Sequence, residues 1–356
     1  MIRQYSIANK AKSASIKQPK ELLTYNRDLD GNYVYGTDEF TYYYFPDAYI
    51  DKSFDLKGGF SNFKKIPEEE NIGDFQSILN GIVKYEQAHG KIDSDIISFR
   101  GIMTKLMTLH TLKEPFKLKL ITYDGHIMIK NDDEFELNKR KSTPTSEYQQ
   151  KCEYSGYKFE KLVMLPKPWP ECTRKMIENR HKAQVNNYEQ TISVVKTSIG
   201  KTKLLLAGEV DGIFDYKPEH NNLSHYIELK TNKLIYNENQ AKNFETKLYK
   251  TWVQCFLLGI KKIGVGFRDD NLLLKNIELY ETDEVPLLLK DKINCMTSLK
   301  FFAGLMEWFN ELDKSKNASY SVSFDNDHVV VLESQESFEK EFLSEEFVSW
   351  RDSLRV

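Results

Sequence analysis

The sequence predicts a single mixed α/β domain (α+β in its arrangement), with β-sheets flanked by helices. Of its 356 residues 40% are apolar, which is enough to build a sizeable core. Segments with the alternating or β-branched pattern of strands occur between segments with helical spacing. No internal repeat, Gly/Ser-rich linker or change of composition divides the chain, so we expect one domain.

Helices and strands alternate along the first half. Helical spacing of apolar residues predicts an amphipathic helix over residues 74–85. Residues 96–99 predict a short strand that leads into a helix over residues 102–109, so Arg100 lies at a strand-to-helix corner. Alternation on both sides of Asp124 and Gly125 predicts a β-hairpin.

The second half predicts further strands and helices. A helix over residues 157–163 carries Glu160, and strands are predicted over residues 191–198, 203–214 and 226–231. A long helix over residues 244–256 ends at Gly259, and it precedes a strand over residues 263–267 and a helix over residues 294–312.

The two ends of the chain are biased in charge. Residues 1–20 carry no acidic residue, and we expect residues 1–17 to form a flexible basic leader before a domain over residues 18–356. This leader contacts nucleic acid or an import receptor, or it is only a solvated tail. The C-terminal segment over residues 325–346 is acidic. The cations of residues 1–20 are Arg3, Lys10, Lys12, Lys17 and Lys20.

Charge and hydropathy exclude several classes of protein. Lys and Arg number 50 and Asp and Glu 53, so a polyanion site must be local. The mean hydropathy is -0.55 and no apolar run approaches the roughly 20 residues of a spanning helix, so we expect no membrane association. We also expect an intracellular protein, since the N-terminus lacks a secretory pattern. The four cysteines and seven histidines form no ligand set, so carboxylates would hold any metal.

Three carboxylates and a lysine are predicted to meet on two neighbouring strands. Glu209 and Asp211 lie two residues apart, as do Glu228 and Lys230, and side chains at that spacing share a face of a strand. Their apolar neighbours predict burial, where charges are costly unless they are paired or bind metal. Carboxylate oxygens suit Mg²⁺ or Mn²⁺. The alternative is an ion-pair network around Lys230 on a half-exposed sheet.

An Asp followed by Glu-x-Lys resembles the pattern of metal-dependent nucleases of the restriction-endonuclease-like superfamily. In that superfamily the carboxylates hold metal and the lysine positions or activates water. Such a site polarises a phosphoryl oxygen and lowers the pKa of bound water. Hydrolysis of a phosphodiester or a pyrophosphate is the reaction it implies.

Further motifs make this resemblance more specific. Gly156 to Glu160 reads GYKFE, Ser98 to Gly101 reads SFRG, Lys250 and Gln254 lie one turn apart, and Gly266 to Arg268 reads GFR. In kind and order these resemble the motifs of the DXO family of RNA 5′-end decapping enzymes, from about residue 18 to the helix over residues 294–312. Residues 18–21 and 42–47 are most similar to the fungal nuclear branch, whose members bind the nuclear 5′-to-3′ exoribonuclease.

The resemblance implies a role for each matching residue. It implies that Lys230 and Gln254 contact the scissile phosphate and its attacking water, and that Arg100, beside Gly101, grips RNA phosphates. Each position also has a structural alternative. Glu160 would then be a surface carboxylate of its helix, Gln254 would cap its helix or pack against it, and Arg100 would bind a helix C-terminus or a structural carboxylate. Phe99 stands where many relatives have Trp. The implied metal ligands are Glu160, Glu209, Asp211, Glu228 and the Leu229 carbonyl, with Glu209 and Asp211 also counted as catalytic.

The resemblance therefore implies an RNA 5′-end quality-control hydrolase that uses Mg²⁺ or Mn²⁺, with two ions expected. It would remove incomplete or noncanonical caps, or pyrophosphate from 5′-triphosphate RNA, with 5′-to-3′ exoribonuclease activity as a further option. The alternative is a non-catalytic stabilising partner of the nuclear exoribonuclease, and a DNA nuclease ranks below both. Nuclear localisation is expected from the same resemblance, with the cytoplasm as the alternative.

Overall fold

Two mixed β-sheets and the helices around them form the fold. The computed structural model describes residues 2–37, 39–46, 53–143, 145–219 and 221–355. The strands are β1 (Ile2–Ser6), β2 (Ile16–Arg27), β3 (Tyr33–Tyr35), β4 (Tyr42–Tyr43), β5 (Ile96–Phe99), β6 (Lys117–Tyr123), β7 (His126–Asn131), β8 (Met164–Leu165), β9 (Gln190–Ile199), β10 (Thr202–Glu209), β11 (Gly212–Ile213), β12 (Tyr226–Lys233), β13 (Lys262–Arg268), β14 (Leu274–Glu281), β15 (Ala318–Asp325) and β16 (His328–Glu333).

The helices match the predicted positions and add several short ones. They are α1 (Phe75–His89), α2 (Arg100–Leu112), α3 (Asp133–Lys141), α4 (Glu147–Val163), α5 (Arg174–Asn179), α6 (Glu238–Leu258), α7 (Val285–Leu288), α8 (Cys295–Asn310), α9 (Glu339–Phe342) and α10 (Glu345–Ser353). Within the described residues one sheet has ten strands in the order β1-β16-β15-β6-β7-β5-β10-β9-β2-β3, and the other has six in the order β14-β13-β12-β11-β4-β8. The mixed α/β prediction is confirmed.

Local signals in the sequence begin and end several elements. The Asp74 side chain accepts a hydrogen bond from the Gln76 N–H at the start of α1. Gly259 ends α6 with a φ of 84°, a backbone conformation that favours glycine. Asp124 and Gly125 both have positive φ, as the two-residue turn of a β-hairpin requires, so the predicted hairpin is confirmed.

Neighbouring residues on the central strands face different cores, because side chains alternate across a sheet. Ile96 and Leu204 join the largest hydrophobic cluster with α2, α6 and α8, and this cluster also contains Ile263 of the six-stranded sheet. Ile97 and Leu205 face a second cluster with α1 and α10. A third cluster lies between α4 and β12. The two sheets therefore share the largest hydrophobic core, to which α6 also contributes.

The N-terminus differs from the flexible leader expected over residues 1–17. Ile2–Ser6 form β1, which pairs antiparallel with β16 at the edge of the ten-stranded sheet. The Arg3 guanidinium binds Glu311 at 2.6 Å and lies over the Trp308 ring. The expected boundary at residue 18 falls inside β2. A basic N-terminal segment stays free only when no strand edge elsewhere in the fold is available to pair with it, and here β16 provides such an edge.

The strand predicted over residues 203–214 is two strands in different sheets, so that prediction is wrong in its extent. β10 pairs with β5 and β9 in the ten-stranded sheet, whereas β11 pairs with β12 and β4 in the six-stranded sheet. The chain crosses between the sheets at Val210 and Asp211. Of the segment similar to the fungal branch, Asp47 lies outside the described residues. No helix in the described ranges is long and apolar enough to cross a membrane.

Candidate active site

The crossing between the two sheets brings the GEVD and ELK motifs together. Glu209 is the last residue of β10, and Asp211 follows it just before β11. β11 pairs antiparallel with β12 and Gly212 is opposite Ile227, so Asp211 lies beside the residues of β12 that follow Ile227. The Asp211 Oδ2 accepts a hydrogen bond from the Leu229 N–H at 2.5 Å. Asp211 is thereby fixed beside Glu228 and Lys230.

Glycine at position 212 is required by the close approach of the chain at this crossing. A Cβ at Gly212 would lie 2.5 Å from the Thr41 backbone oxygen. The Thr41 hydroxyl also donates a hydrogen bond to the Asp211 backbone oxygen at 3.0 Å. The Asp211 backbone is therefore held by a residue that no local pattern connects with it.

Glu228 lies at the centre of a buried ion-pair network. It is 1% exposed, and its two carboxylate oxygens accept hydrogen bonds from Arg100 Nη1 at 2.9 Å and from Lys230 Nζ at 2.5 Å. Arg100 begins α2 directly after β5, at the corner that the sequence predicts. A charge buried this deeply is tolerated because both oxygens have cationic partners.

Gly208 makes room for Arg100. A Cβ at this position of β10 would lie 2.7 Å from Leu258 Cδ1 and 2.9 Å from Arg100 Cβ. β10 is parallel to β5, so the start of α2 passes directly over Gly208. The glycine of the GEVD motif is therefore required for packing, and it lets the guanidinium reach Glu228.

Glu160 comes to the same region on α4. Helix α4 begins with a capping box formed by Ser146 and Gln149. Phe159 packs so closely on β13 that a Cβ at Gly266 would lie 2.6 Å from its ring. This contact places the next residue, Glu160, against the carboxylates of the crossing, whose charges affect its pKa. Glu160 is half-buried, so it is not the fully solvated surface carboxylate of the alternative interpretation.

Three of the four carboxylates bind protons more readily than usual. Desolvation, and then the negative charges of Asp211 and Glu209, raise the pKa of Glu160 well above its ordinary value. Desolvation and the charge of Asp211 raise the pKa of Glu209 to about 7, although Glu209 is accessible to solvent. Desolvation and the charge of Glu228 raise the pKa of Asp211 to about 6. These shifts show a surplus of negative charge.

Arg100 and Lys230 form their ion pairs with Glu228 rather than with the other three carboxylates. Burial opposes the ionisation of Glu228, but the charges of Arg100 and Lys230 outweigh it and lower the pKa of Glu228 to about 2. For Lys230 burial acts against the charge, yet Glu228 and Asp211 raise its pKa above the ordinary value. Lys230 therefore stays protonated at neutral pH.

A divalent cation fits this donor set. Four carboxylates face two cations, Arg100 and Lys230, which leaves an excess of two negative charges when all groups are ionised. Within the described ranges no three acidic, thiol or imidazole groups converge closely enough to form a ready-made ion site. The fit therefore rests on the chemistry of hard oxygen donors and on the charge excess, with the Leu229 carbonyl on the same strand as a neutral donor.

A cavity of about 800 Å³ opens beside Glu160, Glu209 and Asp211. Its other walls come from β2, from β9, from α4 and from the segment after α4, and they include Arg27, Gln190, Lys161, Lys167 and Tyr157. The Gln190 amide lies 3.5 Å from a Glu209 oxygen. The sequence does not predict Arg27 and Gln190 at this cavity, because nothing local distinguishes them from ordinary strand residues.

The remaining predicted residues lie close to this network or at its margin. Gln254 is half-buried on α6. Burial and the charge of Glu228 raise the pKa of the next residue, Cys255, so this turn of α6 faces the ion-pair network. Gly101 is exposed at the start of α2, and a Cβ there would meet nothing within 4 Å. Lys250 binds Glu114 at 2.6 Å, away from the carboxylates.

Similarity to known proteins agrees with this arrangement. Residues 17–348 match the family described as RAI1 like PD-(D/E)XK nuclease. The chain belongs to this family. We expect Asp211 to be the single acidic residue of that pattern and Glu228, Leu229 and Lys230 to be its (D/E)XK part. The resemblance found in the sequence, and the restriction-endonuclease-like core that it implied, are therefore confirmed.

Full-length relatives carry the same family name. The decapping nuclease RAI1 of Debaryomyces hansenii is 50% identical, with 99% of each chain covered, and that of Saccharomyces cerevisiae is 35% identical, with 98% of each covered. The structure of Candida albicans Rai1 in complex with pU5-Mn²⁺ has a TM-score of 0.95 at 45% identity and covers 99% of this chain and 100% of that one. That of Scheffersomyces stipitis Rai1 with (3′-NADP)⁺ and calcium ion has a TM-score of 0.93 at 46% identity, with the same coverage.

Proposed function

We propose that this chain is a divalent-metal-dependent hydrolase of RNA 5′ ends, that is, a decapping nuclease. The observation that carries the proposal is the junction of Asp211, Glu228 and Lys230 beside a cavity of about 800 Å³ that contains further carboxylates. Relatives at 35% to 50% identity are named decapping nucleases, and the Candida albicans relative binds the RNA pU5 with Mn²⁺.

Glu160, Glu209, Asp211 and Glu228, together with the Leu229 carbonyl, would hold the metal, and we propose two ions. When bound, the metal polarises the phosphoryl oxygens and makes bound water more acidic. Because the pKa of Lys230 is raised, this residue acts as a protonated donor that steadies the scissile phosphate, rather than as a base. Gln254 orients the attacking water from α6 in this proposal.

Arg100 has two roles in the proposal. Its Nη1 holds Glu228, so it positions a metal-binding carboxylate, and this agrees with the structural alternative for this residue. The remaining guanidinium N–H groups are available to grip an RNA phosphate beside Gly101, where the absence of a side chain leaves room. The cation therefore links substrate binding to the geometry of the carboxylates.

We propose incomplete caps, noncanonical nucleotide caps and 5′-triphosphates as the ends that are removed, with 5′-to-3′ exonucleolytic cleavage as a further activity. The size of the cavity supports a substrate larger than one phosphate. The Scheffersomyces stipitis relative binds (3′-NADP)⁺, which supports a dinucleotide end group as one substrate.

The test uses the purified protein and its Glu209→Ala/Asp211→Ala variant with Mg²⁺ or Mn²⁺. RNAs that carry 5′-monophosphate, 5′-triphosphate, unmethylated-cap and methylated-cap ends are incubated, and the products are resolved by size and by released group. We expect metal-dependent release that the variant has lost. The released group identifies the reaction, and no release from any RNA contradicts the proposal. A 5′-phosphorylated DNA of the same sequence tests the DNA alternative.

We also propose that the chain binds and stabilises the nuclear 5′-to-3′ exoribonuclease, and that it works in the nucleus. Support comes from the similarity of residues 18–21 and 42–46 to the fungal branch. Copurification of the two proteins, and an effect on exoribonuclease stability that survives Asp211→Ala, are the expected results. Absence of a complex at micromolar concentration, or cytoplasmic fluorescence of a tagged chain, contradicts the respective part.

A further inference from the structure

Arg268 is a buried cation with two unpaired guanidinium nitrogens. It ends β13 and is 8% exposed, and its Nε and Nη1 are shielded from solvent with no hydrogen-bond acceptor among the described residues. Burial of a charged group is unfavourable by several kcal/mol unless an opposite charge or hydrogen bonds compensate. The fold tolerates this guanidinium at a position where an anion would remove the penalty.

A second cation without a carboxylate partner lies beside it. The Lys247 ammonium of α6 donates a hydrogen bond to Asn232 Oδ1 at 3.2 Å, and the Lys247 side chain is accessible to solvent. Partial burial, and then the positive charge of Arg268, lower the pKa of Lys247. The nearby Lys233 differs, because it binds Asp270 at 2.6 Å. Arg268 and Lys247 therefore concentrate positive charge, and neither forms an ion pair with a carboxylate of the described residues.

This pair lies along the elements that lead away from the proposed scissile phosphate. Asn232 is two residues beyond Lys230 on β12, so their side chains share one face of the strand. Lys247 is seven residues before Gln254 on α6, which is two helical turns or about 10 Å along the same face. None of Arg268, Lys247 and Asn232 lines the cavity beside Glu209. Arg268 and Lys247 thus lie on a side of the site that differs from the cavity.

Two exposed tyrosines lie near Lys233, which is opposite Arg268 in the ladder between β12 and β13. Tyr148 is 48% exposed and Tyr236 is 67% exposed, and both lie near enough to Lys233 for their charges to affect its pKa. Solvent-exposed aromatic rings beside unpaired cations are typical of surfaces that bind single-stranded nucleic acid, since the rings stack on bases and the cations bind phosphates.

We propose that Arg268 and Lys247 form a subsite for a backbone phosphate of the RNA body, one or two nucleotides from the scissile phosphate. The proposal rests on the proposed function and extends it to the substrate path. Arg268 contributes its positive charge and its Nη2 group, because its Nε and Nη1 are shielded from solvent. Lys247 adds a second positive charge, and Tyr236 offers a ring to the adjacent base whatever its identity.

The test compares the binding of 5′-monophosphorylated oligouridines of eight and two nucleotides, measured by fluorescence anisotropy in Ca²⁺. Arg268→Met and Lys247→Met are expected to weaken binding of the eight-nucleotide RNA about 10-fold each, the effect of one lost charged hydrogen bond. Each should also reduce the slope of log K against log salt by about 0.7, because one phosphate contact is lost. Lys316→Met, at a residue 79% exposed on its side chain, is the matched control and should change neither quantity.

Stability separates binding from a structural role. Because Arg268→Met removes an unpaired buried charge, its melting temperature should equal or exceed that of the wild type. If Arg268→Met lowers the melting temperature while Lys247→Met leaves affinity and salt slope unchanged, Arg268 is structural and the inference is wrong.

Two further outcomes overturn the proposal. Wild-type affinity and salt slope in both variants would exclude a phosphate contact. A weaker affinity for a free cap dinucleotide, with unchanged affinity for the eight-nucleotide RNA, would assign the pair to the phosphates of the cap. Metal-dependent hydrolysis by the wild type is assayed in parallel, so failure of the proposed function is seen separately from failure of this subsite.

Discussion

Gly208→Ala tests whether packing around Arg100 controls the carboxylate network. The added Cβ would lie 2.7 Å from Leu258 Cδ1 and 2.9 Å from Arg100 Cβ, and real Cβ atoms do not approach so closely. Leu258 is fully buried and Arg100 is 9% exposed, so neither side chain can move into solvent. Overpacking of this kind destabilises a folded protein by about 1–3 kcal/mol, which we expect as the loss in free energy of unfolding measured in urea.

Catalysis should suffer beyond this loss of stability. Displacement of Arg100 weakens its 2.9 Å hydrogen bond to Glu228, and a charged hydrogen bond contributes about 1.5–3 kcal/mol. We therefore expect metal-dependent hydrolysis to fall at least about 10-fold at a temperature where the variant is folded.

Gly156→Ala is the matched control. Gly156 lies inside α4, where a Cβ would meet only Thr231 Oγ1 at 4.0 Å. Replacing a helical glycine by alanine should raise stability by up to about 1 kcal/mol and leave hydrolysis intact. A Gly208→Ala protein with wild-type stability and activity would refute the reasoning about Arg100.

Three other predictions concern the metal site and the core. Asp211→Asn should weaken Mn²⁺ binding by more than about 10-fold in calorimetry, whereas Asp93→Asn, on a side chain 68% exposed, should not; equal affinities would contradict the ligand assignment. In EDTA the melting temperature should fall as pH rises from 5 to 7.5, because the pKa values of Glu209, about 7, and Asp211, about 6, are higher in the folded state, which therefore binds more protons than the unfolded state. Mn²⁺ should flatten this profile. A melting temperature that rises with pH in EDTA, and that Glu209→Gln/Asp211→Asn does not alter, would count against the prediction. Glu86→Gln should lower the free energy of unfolding in urea by about 3 kcal/mol, since Arg351, whose side chain is 1% exposed, loses its charged partner at 2.8 Å. Glu346→Gln, in the exposed ion pair with Lys84, should lower it by under about 1 kcal/mol. Equal losses in the two variants would refute the importance of burial.

Local patterns in the sequence were sufficient for most elements and for the residue types that meet in the candidate site. The spacing of Glu209 with Asp211 and of Glu228 with Lys230 follows from the two-residue period of strands, and the signals at Asp74, Asp124-Gly125 and Gly259 act within a few residues. These features depend on neighbours in the chain, so the sequence exposes them directly.

Contacts between distant segments decided the rest. Local periodicity reads residues 203–214 as one strand, and only pairing with β5 on one side and β12 on the other divides it at Asp211. Ile2–Ser6 of the expected leader form β1 because the edge of β16 is available for pairing. Arg100 contacts Glu228, 128 positions away in the sequence, because Gly208 leaves room for it. Arg27 and Gln190 carry no local signal at all, and the GFR motif marks Arg268 without showing that its side chain is buried. Their surroundings are set by long-range packing, which composition and spacing do not record.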